Sequence, residues 1–420
     1  MHSGLRLFGI AGAVMAFVAP AGAEEASHLQ PYQMVRSLQL VQDRIATGDH
    51  AALPMQQKLL EMTDKTIRDA DTAVFDEPRN FRALLIYGMS GGNPLTLERT
   101  VSHLTLGDAD KTISEGIVGY LRGNPRSAQA ALEPVDPMIL PRELGAFLAL
   151  VKGAVLTNED PAKALIMFDQ ARLLGTGTLV EEASLRRTIM LATSQKDAAR
   201  FIDSSRQYAS RYLRSPYASQ FANAFVRGVA ELHDAIPLDG IAQVADLMNP
   251  EQKKTTYLRI ARRAAIEGIT ELSAFASRKA RENPDEDKRS VDSRAILYSG
   301  LSSITSGTSD EILEKLSKVD RDSLSQNDKK LLDAAKSVAS ELTGAPPPLA
   351  SLARVPAPPA APESTQPSIA EQVEAQAAAA SELSAPAAQK SAQADETDAM
   401  LITAREKLDA IDKLLGETIQ

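Results

Sequence analysis

Apolar residues recur at alternating steps of four and three along most of the chain, which is the spacing that puts them on one face of an α-helix. The pattern runs through residues 185–192 and 221–232, and again through Leu331, Ala335 and Val338. No segment alternates apolar and polar residues for long, and aromatic residues make up only 4% of the chain, so little favours β-strands. The sequence predicts an all-α protein.

Three pairs of a capping residue and a proline mark helix starts, because proline is favoured in the first turn of a helix. These pairs are Asn124-Pro125, Asp160-Pro161 and Ser215-Pro216. The apolar stripes also predict partner helices over about 111–122, 141–157 and 179–194.

A weak repeat follows the helix starts. Pairs of a small and a bulky residue recur at steps of 36 and 34 residues: Ala128/Leu132, Ala164/Phe168 and Ala198/Ile202. This spacing resembles tetratricopeptide helix pairs, although Gly153 is one place out of register and no Trp recurs. We predict degenerate, antiparallel helical hairpins stacked over residues 24–343, with an irregular helical bundle as the alternative. A stacked array would leave a concave face for a partner.

The C-terminal part has a different composition. Residues 344–395 are rich in Pro and Ala and poor in bulky apolar residues, which predicts a disordered linker. Residues 396–420 regain an apolar stripe at Leu401, Leu408, Ile411 and Leu415, which predicts a short amphipathic helix. Such a helix needs a surface to cover its stripe, and both the protein's own body and a partner are candidates.

Residues 1–23 have the three parts of a secretory signal. Arg6 lies in a short charged region, apolar residues run over positions 7–18, and Ala21-Gly22-Ala23 fits a cleavage site before Glu24. The apolar run is shorter than the roughly 20 residues of a membrane-spanning helix, so an uncleaved anchor is the weaker alternative. We expect cleavage between Ala23 and Glu24 and a mature chain that is soluble in the periplasm, without membrane insertion.

The amino-acid composition argues against several kinds of catalytic and binding site. The chain has no cysteine, which removes thiol catalysis and cysteine-ligated metal sites, and its five histidines form no His-Glu-x-x-His motif. The formal net charge of -9 argues against nucleic acid, because phosphate binding needs a basic surface. The sequence thus predicts a protein that is not an enzyme, with no cofactor, no metal and no small-molecule substrate.

Two short motifs have plain structural interpretations. Ser90-Gly91-Gly92-Asn93-Pro94 lacks the ending of a phosphate-binding loop and predicts a helix end followed by a turn. The acidic pair Glu181-Glu182 stands near a helix start, where the helix dipole favours negative charge.

One cluster of basic residues is a candidate for partner binding. It consists of Lys253, Lys254, Arg259, Arg262 and Arg263. On a helical wheel the arginines lie opposite an apolar stripe of Tyr257, Ile260, Ala261 and Ala264, which is typical of a solvated face. A patch that steers an acidic partner is the alternative, and Arg186-Arg187 raises the same question.

The segment over residues 31–46, PYQMVRSLQLVQDRIA, followed by Gly48-Asp49, resembles the opening of the MotC family of periplasmic motility proteins. Residues 84–94, LLIYGMSGGNP, are similar to that family too, as are stretches within 119–132 and 177–187. The resemblance covers most of residues 28–235. It implies a role in flagellar rotation and binding to the periplasmic domain of the stator subunit MotB. No binding residue can be carried over from the family.

Two other functions are weighed against stator binding. A general periplasmic helical scaffold in envelope assembly or secretion fits the same export signal and helical pattern. A lytic transglycosylase fits poorly, because the low-complexity tail stands where its compact catalytic domain would be.

Overall fold

The computed structural model describes residues 29–282, 292–303 and 309–343. These residues form seventeen α-helices with three short 3₁₀ turns and no strand. The first eight helices are α1 (Pro31–Ala46), α2 (Leu53–Asp69), α3 (Pro78–Met89), α4 (Pro94–His103), α5 (Asp108–Leu121), α6 (Pro125–Leu132), α7 (Arg142–Leu156) and α8 (Pro161–Leu174). The remaining nine are α9 (Leu179–Ser194), α10 (Ala198–Arg211), α11 (Ala218–Glu231), α12 (Leu238–Ala245), α13 (Pro250–Ile266), α14 (Thr270–Ala280), α15 (Ser293–Ser303), α16 (Ser309–Ser317) and α17 (Gln326–Thr343).

Proline and side-chain caps begin the helices as the sequence predicts, with one exception. The Asn124 side chain accepts a hydrogen bond from Ser127 N at the start of α6, and Asp160 accepts one from Lys163 N at the start of α8. Ser215-Pro216 was expected to begin a helix, and this prediction is wrong. Two successive backbone turns precede the helix there, and α11 begins at Ala218.

Consecutive helices pair as stacked hairpins. α5 packs on α6, α7 on α8 and α9 on α10, and α8 also packs on α9. Close approach inside the second hairpin depends on Gly153, because a Cβ atom at this position would lie 2.5 Å from the Phe168 ring. The predicted small-and-bulky packing is thus confirmed for Ala128/Leu132 and Ala164/Phe168, which are all at most 1% exposed.

The third step of the repeat has a different register from the predicted one. Ala198 and Ile202 are only half-buried, whereas Phe201 and Ser205 are fully buried. The α10 cap is Asp197, one residue later than a strict repeat of the α8 cap would place it. This shift turns Phe201 inward, where its ring stacks on Phe225 with centroids 5.8 Å apart.

Two main hydrophobic cores run along the array. Helices α1 to α7 enclose the first, which includes Leu38, Leu84 and Ile117. Helices α9 to α17 enclose the second, which includes Phe221. Ala46, at the end of α1, belongs to the second core, so α1 connects the two.

The predicted stripe on α17 is partly wrong. Leu332, Ala335 and Ala339 face the core, whereas Val338 is 44% exposed. The buried face is therefore rotated by one position from the predicted stripe of Leu331, Ala335 and Val338, and it also includes Asp328, which a pattern of apolar residues cannot reveal.

The segments predicted to form a signal peptide, a Pro/Ala-rich linker and a C-terminal amphipathic helix all lie outside the described residues. Within the described ranges, no helix combines the length and the apolar character that crossing a bilayer requires.

Candidate partner-binding groove

A groove lies between α1 and α3, near the start of the array. Each helix contributes residues at steps of three, one and three, which is the spacing of one helical face. Glu143 of α7 also lines the groove, which has a volume of about 460 Å³. We call it the arginine groove; its lining residues are Tyr32, Val35, Arg36, Gln39, Arg79, Arg82, Ala83, Ile86 and Glu143.

Apolar side chains form the floor of the arginine groove. Val35, Ala83 and Ile86 are 2%, 4% and 3% exposed, because they pack into the first core beneath. Arg36 and Arg79 are exposed on the rim, and Arg82 is half-buried. The surface therefore combines buried apolar atoms with charged donors around them, which is typical of a site that binds a protein segment.

Within the described part of the chain, the three guanidinium groups of the rim form no ion pair. Among the described residues, none of Arg36, Arg79 and Arg82 has a carboxylate oxygen within 4.0 Å. Two acidic residues line this region: Glu143 lines the arginine groove, and Glu77 lines a depression of about 680 Å³ that shares Tyr32 and Arg79 with it. Because a guanidinium group fits a carboxylate with two parallel hydrogen bonds, the rim is suited to acidic side chains of a binding segment.

Hydrogen bonds hold the groove's two helices together. The buried Asn80 side chain of α3 accepts a hydrogen bond from Tyr32 N (3.1 Å) and donates to Gln30 Oε1 (3.1 Å) and to Val74 O (3.0 Å). These bonds fix the start of α1 against α3, so the groove is built on two supported helices and needs no loop to form it.

A second depression continues the groove along α1, toward α7 and α9. It has a volume of about 160 Å³ and shares Gln39 and Glu143 with the arginine groove. Asp43 lies in it and accepts a hydrogen bond from Leu179 N (3.0 Å) at the start of α9. Burial raises the pKa of Asp43, and this hydrogen bond only partly offsets the increase. This contact joins the first helix to the middle of the array.

The Ser90-Gly91-Gly92-Asn93-Pro94 segment forms a helix end and a turn, as predicted. Gly91 has a φ of 90°, which favours glycine, and Asn93 caps α4. The Tyr87 hydroxyl accepts a hydrogen bond from Asn93 N (2.9 Å) and donates one to Asp64 (2.9 Å). Through Tyr87, the turn joins the end of α3 to α2 and to the start of α4.

A buried charge network joins α9 to α10, and the sequence interpretation missed it. Glu182 is completely buried and binds Arg186 through both carboxylate oxygens (3.2 Å each), and it also accepts a hydrogen bond from Tyr208 (2.7 Å). Arg186 in turn donates to Gln220 Oε1 (2.7 Å) and lies over the Tyr217 ring. Arg186 is therefore part of the interior and gives no cationic patch to the surface.

The neighbouring Glu181 is also buried, at 4% exposed. It accepts hydrogen bonds from Arg211 (2.7 Å), Tyr212 (2.7 Å) and Gly177 N (2.6 Å). Burial first, and then the adjacent carboxylate through its charge and its hydrogen bond, raise the pKa of both Tyr208 and Tyr212, so the two hydroxyls stay protonated donors. The pair does lie in the first turn of α9, as predicted, but its contacts tie helices together.

The basic cluster on α13 is half-buried and bonded to neighbouring helices. Lys253 pairs with Asp246, Lys254 with Asp292 (3.1 Å), Arg262 with Asp328 (3.0 Å) and Arg263 with Glu267 (2.9 Å), while Arg259 donates to Asn223. Its apolar stripe is buried, as predicted. Because acidic neighbours pair with four of the five charges, and Asn223 binds the fifth, the cluster contributes to the packing of α13; partner binding there stays a prediction.

The four apolar positions predicted for partner binding in the C-terminal helix, Leu401, Leu408, Ile411 and Leu415, lie outside the described residues. Within the described ranges, no group of three or more His, Asp or Glu side chains is arranged to hold a metal ion.

Comparisons with known proteins place the chain in a family. The family model described as chemotaxis protein MotC matches residues 1–420. A relative from Rhizobium meliloti (strain 1021), named chemotaxis protein MotC, is 36% identical over 410 residues, which is 94% of this chain and 94% of the relative. No solved structure matches. The chain belongs to the MotC family of chemotaxis proteins.

Proposed function

We propose that the protein is exported to the periplasm, where it binds the periplasmic part of the flagellar stator subunit MotB and supports or modulates flagellar rotation. The observation that carries this proposal is the match of the whole chain to the MotC chemotaxis family. The export signal read from residues 1–23 supports the location, and the helical array supports a binding function.

The arginine groove is the described surface that suits such binding best. Its guanidinium groups are free of carboxylates within the described part of the chain, and its apolar floor lies between them. An acidic segment of the partner would gain charge-assisted hydrogen bonds from the rim and would cover Val35 and Ile86 at the same time. The basic cluster on α13 and the C-terminal helix remain further candidate contact regions.

Binding of this kind acts on the motor through a population shift. If the stator subunit exchanges between two states, the protein changes their ratio only by the difference in its affinity for them. A factor of about ten in affinity corresponds to about 1.4 kcal/mol.

A pull-down tests the proposal directly. The mature chain, residues 24–420, is immobilised and the periplasmic fragment of MotB is applied at micromolar concentration. We expect retention of the fragment. Absence of retention by a sample whose helical circular dichroism shows that it is folded would contradict stator binding and would favour the scaffold alternative.

A charge-matched pair of variants tests the surface. Replacing Arg36, Arg79 and Arg82 by Glu should weaken binding at least about tenfold, because three favourable charge pairs become repulsive. The control replaces Arg99, Arg126 and Arg227 by Glu; these arginines are also exposed and have no ion pair in the described residues, and they do not line the groove. Equal binding by both variants would assign stator binding to another surface.

A further inference from the structure

The acidity of the protein is concentrated in its C-terminal part. Residues 344–420 carry eleven acidic and five basic side chains, a net charge of -6, whereas the whole chain has a net charge of -9. The array that precedes them is therefore nearly neutral. The arginine groove and the acidic C-terminal part belong to one molecule, so attraction between them is intramolecular.

One C-terminal segment has the complement of the groove. Asp395, Glu396 and Asp398 place three carboxylates within four residues, and Ala399-Met400-Leu401-Ile402 follow directly with apolar side chains. The groove offers three guanidinium groups that form no ion pair with the described residues, beside an apolar floor. We propose that residues 395–402, here called the acidic segment, dock in the arginine groove of their own chain.

Chain length permits this docking. The described body ends with α17 at Thr343, and residues 344–394 join it to the acidic segment. A linker of about 50 residues with this composition spans about 40 Å on average. Where its average length matches the distance to the groove, such a tether gives the acidic segment an effective concentration in the ~mM range, which favours docking by weak charge pairs.

Docking makes the groove a regulated site. A partner that needs the groove binds with an apparent affinity reduced by the fraction of molecules whose groove is empty. This consequence rests on the proposed function, because it requires that the stator subunit uses the groove. The intramolecular contact itself does not depend on the identity of any partner.

Cysteine cross-linking in the mature chain tests the contact, since the protein has no native cysteine. One variant carries Gln39→Cys in the groove and Ala399→Cys beside the acidic segment. The control carries Ser210→Cys, an exposed position on α10 away from the groove, with the same Ala399→Cys. Rates of intramolecular cross-linking are divided by the maleimide reactivity of each single-cysteine chain, which removes differences in thiol exposure.

We expect the groove pair to cross-link at least about tenfold faster than the control pair at low salt, and the advantage to shrink at high salt. Replacing Arg36, Arg79 and Arg82 by Glu should abolish the advantage. Adding Lys at positions 395, 396 and 398 in that variant should restore it, because the charges are then exchanged and again opposite. Equal rates for the two pairs, or a groove rate that charge reversal leaves unchanged, would overturn the proposal.

The same experiment separates this inference from stator binding. Cross-linking is measured without MotB, so docking of the acidic segment stands if cross-linking succeeds and the stator fragment fails to bind. If the fragment binds through the three arginines but the groove pair shows no cross-linking advantage, the groove belongs to the partner alone and the docking proposal is wrong.

Discussion

The buried ion pair between Glu182 and Arg186 makes a quantitative prediction about stability. In Arg186→Met, a side chain of similar length fills the same space but leaves Glu182, which is completely buried, without its cation. The Tyr208 hydroxyl remains as its donor, and Gln220 loses its partner. Removing one partner of a buried pair costs about 3–5 kcal/mol, because the remaining charge keeps its full desolvation penalty.

Arg186 stays charged in the folded protein. Burial alone would lower the pKa of its guanidinium group, but the charge and the hydrogen bonds of Glu182 outweigh burial and raise that pKa. The loss of stability in Arg186→Met therefore comes from removing the ion pair. Deprotonation of Arg186 in the wild-type protein does not weaken that ion pair at neutral pH.

Urea unfolding followed by circular dichroism measures the effect. The matched control is Arg206→Met, which removes an ion pair to Asp203 between side chains that are 50% and 62% exposed. An exposed pair contributes about 0–1 kcal/mol, so the control should shift the midpoint little. If Arg186→Met destabilises by less than about 1 kcal/mol, Glu182 does not depend on Arg186 to stay buried as a charged group, and the reasoning is refuted.

Three further predictions concern packing, pH and the C-terminal part. Gly153→Ala should destabilise the protein by about 1–3 kcal/mol, because the new Cβ atom would meet the Phe168 ring at 2.5 Å. Gly240→Ala has no neighbour closer than 3.6 Å and should stabilise the protein by up to about 1 kcal/mol. Equal urea midpoints for the two variants would contradict this prediction. Burial alone would raise the pKa of Asp292, but Arg294 and Lys254 lower that pKa to about 2 from 3.8. The ionised Asp292 therefore stabilises the fold by about 2 kcal/mol above pH 4, and this contribution disappears as the pH falls toward 2. Asp292→Asn should therefore lower the thermal midpoint at pH 7 and reduce its decrease between pH 4 and 2; an unchanged pH profile would count against the ion pair. Limited proteolysis of the mature chain should cut first within residues 344–395, and early cuts within 110–282 would contradict a continuous array.

The helical pattern was enough to predict the fold class and much of the first half of the array. Asn124-Pro125 and Asp160-Pro161 begin helices as predicted, because capping and proline placement are local effects. The register of α10 was not predictable from a repeat, since a single extra residue before Asp197 turns Phe201 inward. Val338 shows the same limit, because the face with Leu331 and Val338 is more apolar than the face with Asp328, Leu332 and Ala339 that the fold buries.

The charged sites were harder to predict, because their partners are distant in sequence. Glu181 and Glu182 stand at a helix start, where negative charge is favoured, so the sequence pattern does not indicate that they have tertiary contacts. Only the fold shows that Tyr208 and Tyr212, on the next helix, bind them. Arg36 likewise cannot be recognised as part of a binding site from the sequence alone, because Arg79 and Arg82 reach the same groove only through the packing of α3 on α1.

The most direct test of the central claim is the rotation speed of tethered cells that lack this protein and are complemented with plasmid-borne variants. We expect the wild-type chain to restore rotation. The variant with Arg36→Glu, Arg79→Glu and Arg82→Glu should fail to restore rotation at equal periplasmic abundance. The control variant with Glu at positions 99, 126 and 227 should restore rotation. Normal rotation in cells without the protein, or equal restoration by both charge-reversed variants, would contradict a role in the motor that depends on the arginine groove.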